Sequence, residues 1–269
     1  IRDRSNGVND SHIIKIDLEN RRNKNLRDPD ALLNFIDSKM TDDSMYYILI
    51  DEIQMVNEFE DVLNSYLKIK NADLYVTGSN ARFLSKDIIT TFRGRGDVVH
   101  IYPLSFREYH SAFDRPKEET LPEYLLYGGL PETIQMTSVE EKTAFLRNVY
   151  EETYIRDIRE RYNIKQEEEL EILFDIVSST VGSLTNPQKI ANTFDSLRQS
   201  DLSAVTIKKY LDIICESFLM EKVSRYDVRG RKYIETPYKY YFVDPGLRNA
   251  RMNFRQPDFS HIMENVIYN

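Results

Sequence analysis

The apolar positions of the chain fall into two regimes. As far as residue 101, short apolar runs alternate with stretches of helical spacing; beyond Pro103 helical spacing takes over. His12 to Leu18 predicts a strand. Asp28-Pro29-Asp30 supplies a cap and an early proline for a helix over Ala31 to Met40. Tyr46-Tyr47-Ile48-Leu49-Ile50 is an unbroken β-prone run, which predicts a strand buried on both faces of a parallel sheet. Phe59, Val62, Leu63, Tyr66 and Leu67 recur at helical spacing and predict a helix over Glu58 to Ile69. A strand over Leu74 to Thr77, a helix over Phe83 to Phe92 and a strand over Val98 to Ile101 complete the alternation. Such alternation predicts a parallel sheet covered by helices on both faces, its successive strand ends on one side.

After Pro103, Ser105 can cap a helix running through Tyr109, and Leu121 to Tyr127 predicts another, closed by Gly128-Gly129. Glu140 to Tyr162 and Glu167 to Val181 are long amphipathic stretches. In the tail, Gln188 to Phe194 predicts a short helix and a polar turn follows. Ser203 then caps a helix with Val205, Ile207, Tyr210, Leu211, Ile214 and Phe218 on one face. Lys222 to Tyr226 and Tyr240 to Val243, with a polar tip between them, predict a hairpin. Helix, turn, helix and hairpin in that order predict a winged helix. The expected fold class is therefore α/β, a parallel-sheet core followed by a helical region and a winged-helix domain. The expected boundaries are 1–115, 116–182 and 183–269.

Composition narrows the class. The 269 residues are 41% hydrophobic and 30% charged, which suits a folded domain rather than a disordered one. No apolar run is long enough to span a bilayer, and the first residues lack a signal peptide's apolar core, so no membrane is expected. The single cysteine, Cys215, excludes an intrachain disulfide and fits a reducing, cytoplasmic setting. Ile1 stands where an initiating Met would, which predicts a natural start further upstream. The net charge is −8, yet the residues from Asn186 onward are mildly basic, a weak hint of nucleic acid.

The candidate chemistry begins at Asp51-Glu52, directly after the apolar strand. Open α/β sheets bind ligands at the carboxyl ends of their strands. There a Walker B pair needs one carboxylate for Mg²⁺, here Asp51, and a neighbour to orient water, here Glu52. A buried strand that merely ends in an acidic turn would show the same letters. Ser79 and Asn80, after the next strand, can reach a γ-phosphate, although Gly-Ser-Asn is also ordinary turn chemistry. Arg93 and Arg95 flank Gly94 and can recognise phosphate or act as an arginine finger on a neighbouring subunit; a solvated hairpin is the alternative. Lys208 and Lys209, with Arg229, Arg231 and Lys232 at the wing tip, can meet DNA phosphates or simply face solvent. The four histidines lack metal spacing. No Gly-Lys dipeptide occurs, so no phosphate loop of the G-x-x-x-x-G-K-[ST] type is found in these residues.

Several segments together resemble a known family. They are Ile48-Leu49-Ile50-Asp51-Glu52-Ile53-Gln54, Thr77-Gly78-Ser79-Asn80-Ala81, Gly94-Arg95, Pro103-Leu104-Ser105-Phe106-Arg107-Glu108-Tyr109, Gly128-Gly129-Leu130-Pro131-Glu132 and Tyr241-Phe242-Val243-Asp244-Pro245-Gly246-Leu247-Arg248. In this order they resemble the prokaryotic AAA-type P-loop ATPases that carry a C-terminal domain of unknown function. The resemblance covers essentially the whole chain. It implies an ATP-binding core using ATP and Mg²⁺, then a helical region, a winged helix and a restriction-endonuclease-like fold. It also implies Asp51 and Glu52 as the Walker B pair, Ser79 or Asn80 as sensor and Arg95 as the finger. The family's phosphate loop and first strand would precede Ile1, and its last domain would continue past Asn269. Two other classes share these features: a winged-helix DNA-binding regulator, and a protein-interaction scaffold with a decayed ATP site.

Overall fold

The structure is a computed structural model that describes residues 8–78, 96–162, 164, 166–198, 202–224, 237–255 and 259–269. The chain divides into two compact units, Ile1–Val99 and His100–Asn269. That division falls earlier than the join near Arg115-Pro116 expected from the sequence.

The first unit is a three-stranded parallel sheet. Its strands are β1 (Ile13–Asp17), β2 (Tyr46–Asp51) and β3 (Ala72–Val76), side by side in that order. Two helices connect them, α1 (Pro29–Lys39) and α2 (Phe59–Tyr66). The side chain of Asp28 accepts the Ala31 N–H at 2.9 Å and Pro29 opens α1, as the sequence predicts. The register pairs Ile14 with Ile48 and Ile48 with Leu74, then Ile16 with Ile50 and Ile50 with Val76. These residues line one face of the sheet and form its core with Leu32 and Ile36 of α1 and Val62, Leu63 and Tyr66 of α2. The Tyr66 hydroxyl ties the two helices together, donating to Asp37 Oδ1 at 2.8 Å.

Two expectations are corrected here. Among the described residues helices cover one face of the sheet, not both. On the other face Tyr47 and Leu49 are half-buried and Tyr75 is exposed. The reason is topological: three strands laid down in sequential order by right-handed crossovers put both connecting helices on the same side. Val98 to Ile101 is not a strand, and Val98, Val99 and Ile101 are exposed. β-branched residues supply propensity, but a strand also needs a paired neighbour. The helix expected over Phe83 to Phe92 lies outside the described residues.

The second unit is mainly helical. Ser105 starts α3 (Phe106–Ser111) with a reciprocal capping box to Glu108, and α4 (Lys117–Tyr127) ends at Gly128. Ser138 and Glu141 form a second capping box at the start of α5 (Val139–Asn148). The stretch expected as one helix to Tyr162 continues through a π-helical segment, Val149–Ile155, into α6 (Arg156–Tyr162). Then come α7 (Glu167–Ser179), α8 (Pro187–Arg198) and α9 (Ala204–Glu216). The antiparallel pair β4 (Met220–Val223) and β5 (Lys239–Phe242) follows, with α10 (Pro245–Arg251) and α11 (Phe259–Tyr268) at the end.

One buried carboxylate closes this unit. Asp244 caps α10 by accepting the Leu247 N–H at 3.1 Å, and its other oxygen accepts the Gly129 N–H at 2.6 Å. Gly129 in turn offers its carbonyl to the Leu104 N–H at 2.8 Å. Both glycines of the pair are obligatory. Gly128 has φ +75° and a Cβ there would lie 2.0 Å from Asp244 Oδ1; a Cβ on Gly129 would lie 2.0 Å from the Leu104 carbonyl oxygen. The Asn249 amide donates to the Leu125 and Leu126 carbonyls, both at 2.9 Å, covering the open end of α4.

Gly129→Ala is expected to destabilise the second unit by more than about 4 kcal/mol, because the clash is with backbone; thermal unfolding measures it. Burial, opposed by bonds from Gly129, Leu247 and Gly246, raises the Asp244 carboxyl from 3.8 to about 6. A raised folded value means the folded chain holds a proton that the unfolded chain has already released. The contribution of this group is therefore full below about pH 4 and is lost as pH rises through about 6. Asp244→Asn should flatten that part of a stability–pH profile taken by denaturant unfolding.

Candidate functional site

The carboxyl end of β2 carries the site. Asp51 is the last residue of the strand, in register with Asp17 of β1, and its side chain is exposed. Asp17 is turned into its own loop, where Oδ1 accepts the N–H groups of Glu19 at 3.0 Å and Asn20 at 3.1 Å. Asp51 is thus the carboxylate that the central strand presents at the sheet's edge. Glu52 leaves the strand in the left-handed conformation, φ 55° and ψ 47°, and is half-buried. For a side chain with a Cβ that conformation costs about 1–2 kcal/mol, and it ends the extended run at the position next to Asp51. Gln54 Nε2 donates to the Glu52 carboxylate and holds it in place.

Thr77, directly after β3, reaches both residues. Its hydroxyl donates to Asp51 Oδ1 and accepts the Glu52 N–H at 3.3 Å. Its backbone N–H donates to the Ile50 carbonyl at 2.9 Å, and its carbonyl accepts the Ile53 N–H at 3.1 Å. The sequence expectation passed over Thr77 and Gln54. Gln54 stands two positions after Glu52 in the sequence, but only the pairing of Ile50 with Val76 reveals that Thr77, the residue after β3, sits against Asp51.

Ser79, Asn80, Arg93 and Arg95 lie outside the described residues. So do Arg229, Arg231 and Lys232. Lys208 and Lys209 are exposed on α9, beside an open groove of about 410 Å³ that Tyr162, Asp212 and Glu216 also line. Asp212 is paired with Lys222 at 2.8 Å, and Glu216 accepts the Tyr162 hydroxyl at 2.8 Å. Burial pushes the Cys215 thiol up to about 12, which removes it as a nucleophile.

Among the described residues no group of three or more His, Cys, Asp or Glu side chains is placed to hold a metal ion. One exposed carboxylate at a strand end suits Mg²⁺, which keeps several waters and takes its remaining ligands from substrate phosphates.

Two families match the chain. Residues 2–110, which take in the first unit, match the family described as AAA domain. Residues 118–258, more than half of the chain, match the family described as Domain of unknown function (DUF8612). The chain belongs to that family. An uncharacterized protein of Haemophilus influenzae is 32% identical over 268 residues, covering 97% of this chain and 66% of the relative. An uncharacterized protein of Methanocaldococcus jannaschii is 24% identical over 233 residues, covering 82% of this chain and 52% of the relative. The chain thus spans between half and two thirds of the length of these relatives. Among the described residues no helix is long and apolar enough to cross a membrane.

The left-handed turn makes a specific prediction. Glu52→Gly should be more stable than Glu52→Ala by about 1–2 kcal/mol, because glycine adopts this conformation without the Cβ penalty. Denaturant unfolding of the two variants measures the difference; equal stabilities would mean that residue 52 is not strained.

Proposed function

We propose that the protein binds and hydrolyses ATP, with turnover coupled to movement of the helical and hairpin-bearing region. One observation carries this: an exposed Asp and a half-buried Glu follow each other at the carboxyl end of the central parallel strand, within the residues that match the family described as AAA domain. Asp51 would hold the Mg²⁺ of the bound nucleotide. The metal, when bound, supplies positive charge to the phosphate oxygens as negative charge builds on them. Glu52 would orient the attacking water and accept its proton, held ready by Gln54. Ser79 or Asn80 would contact the γ-phosphate. Arg95, or Arg93, would be supplied to a neighbouring subunit's nucleotide as the finger.

For the moving part we propose a winged helix built from α8, α9 and the β4–β5 pair, followed by the start of a further domain. The order of these elements and the antiparallel pairing of Met220 with Phe242 support it. Exposed Lys208 and Lys209 on α9 favour a second reading, DNA binding, with Arg229, Arg231 and Lys232 at the tip. Asp212 and Glu216 further along the same groove weigh against a helix that lies among phosphates.

Steady-state hydrolysis by the full-length protein tests the main reading. Glu52→Gln should retain ATP binding while kcat falls by about 10²–10⁴-fold. A protein that neither binds nor hydrolyses ATP would overturn it and favour the scaffold. For DNA, the Lys208→Glu, Arg231→Glu double variant should lose duplex binding, and the wild type should weaken steeply with salt. Fluorescence anisotropy across a salt series reads both, and absence of duplex binding at low salt removes the DNA reading.

A further inference from the structure

The end of β3 holds a side chain whose bonds all serve the acidic pair. Thr77 is exposed, so it adds little to the core. Its backbone is bonded to Ile50 and Ile53, the residues on either side of Asp51-Glu52. Its side chain is bonded to the pair itself, giving its proton to Asp51 and accepting from the Glu52 N–H. A hydroxyl has one proton and two lone pairs. That one proton goes to Asp51 Oδ1. The lone pairs remain for the Glu52 N–H. A residue in the left-handed region next to an exposed strand end persists only where its surroundings over-determine it, and Thr77 bonds the Glu52 N–H there.

We propose that Thr77 is the positioning residue of the nucleotide site. Its hydroxyl fixes the rotation of the Asp51 carboxylate, so that the oxygen not engaged by Thr77 is held towards the metal of the bound nucleotide. The same hydroxyl anchors the turn that aims Glu52. Thr77 touches neither metal nor substrate in this role; it acts through Asp51 and Glu52, as the outer partners of metal ligands do. The inference rests on the ATP reading above and extends it to a residue outside the acidic pair.

The test compares wild type, Thr77→Val, Thr77→Ala and Thr77→Ser in the full-length protein. Val keeps the shape and the β-branch but lacks the hydroxyl; Ser keeps the hydroxyl; Ala preserves the comparison should Val fold poorly. Three quantities are measured: binding of a fluorescent ATP analogue in EDTA and in Mg²⁺, hydrolysis across a Mg²⁺ series, and thermal melting. Val and Ala should bind the analogue in EDTA as the wild type does and lose the gain that Mg²⁺ brings. Their kcat should fall by about 10–100-fold, with half-saturation at higher Mg²⁺, and Ser should recover most of both. Melting should change little. Wild-type Mg²⁺ dependence in Val and Ala overturns the inference alone, as does Ser being impaired as much as Val. A wild type that binds no nucleotide overturns the ATP reading and this inference with it.

Discussion

The parallel pairing of β2 with β3, with Ile50 opposite Val76, is the constraint on which the candidate site depends. A slip of one residue would turn Tyr47 and Leu49 into the core and expose Ile48 and Ile50. Burial of Tyr46, Ile48 and Ile50 against α1 and α2 therefore protects the register. The same register carries Thr77 to Asp51 at the strand ends. The geometry of a polar, solvent-facing cluster is thus enforced by apolar residues several positions away. The site itself spends stability, holding Glu52 in a left-handed turn, and the sheet beneath it supplies the rigidity that makes this tolerable.

The second unit uses its most distinctive residues differently. Leu104, Gly128-Gly129 and Asp244 to Asn249 are far apart in sequence yet meet in one buried hydrogen-bonded knot. Every contact in it is explained by closure. Asp244 caps α10 and receives Gly129, Asn249 covers the carbonyls that end α4, and the Arg248 guanidinium donates to the Ser178 carbonyl at 2.9 Å. A fully buried carboxylate satisfied by backbone N–H groups is costly to remove, because the donors would be left without an acceptor. These segments, which carry much of the family resemblance, therefore read as packing determinants rather than as catalytic ones.

Much of the local structure was legible in the sequence because its causes are local. Asp28-Pro29 and Ser105-Glu108 start helices through bonds made within a single turn. The run from Tyr46 to Ile50 becomes a strand through its own β propensity, and the helical spacing from Phe59 to Tyr66 becomes an amphipathic helix. The acidic pair was found for the same reason: its chemistry depends on two adjacent letters after an apolar run.

Strand order, the face on which the helices lie and the partner of Asp51 are relations between segments. The covered face of the sheet follows from three strands added in one direction by right-handed crossovers, not from the helices' own amphipathic patterns. Val98 to Ile101 has strand letters and no strand, because pairing is a property of two segments. Thr77 reads in the sequence as the last residue of a strand, and nothing in its neighbours says that residue 51 lies beside it. By itself the sequence determined which elements form and which residues bear charge, through propensities and caps that act over a few positions. Only the tertiary structure decided which of those charges are held in place and by what, because a hydrogen bond joins atoms that are near in space, however far apart they stand along the chain.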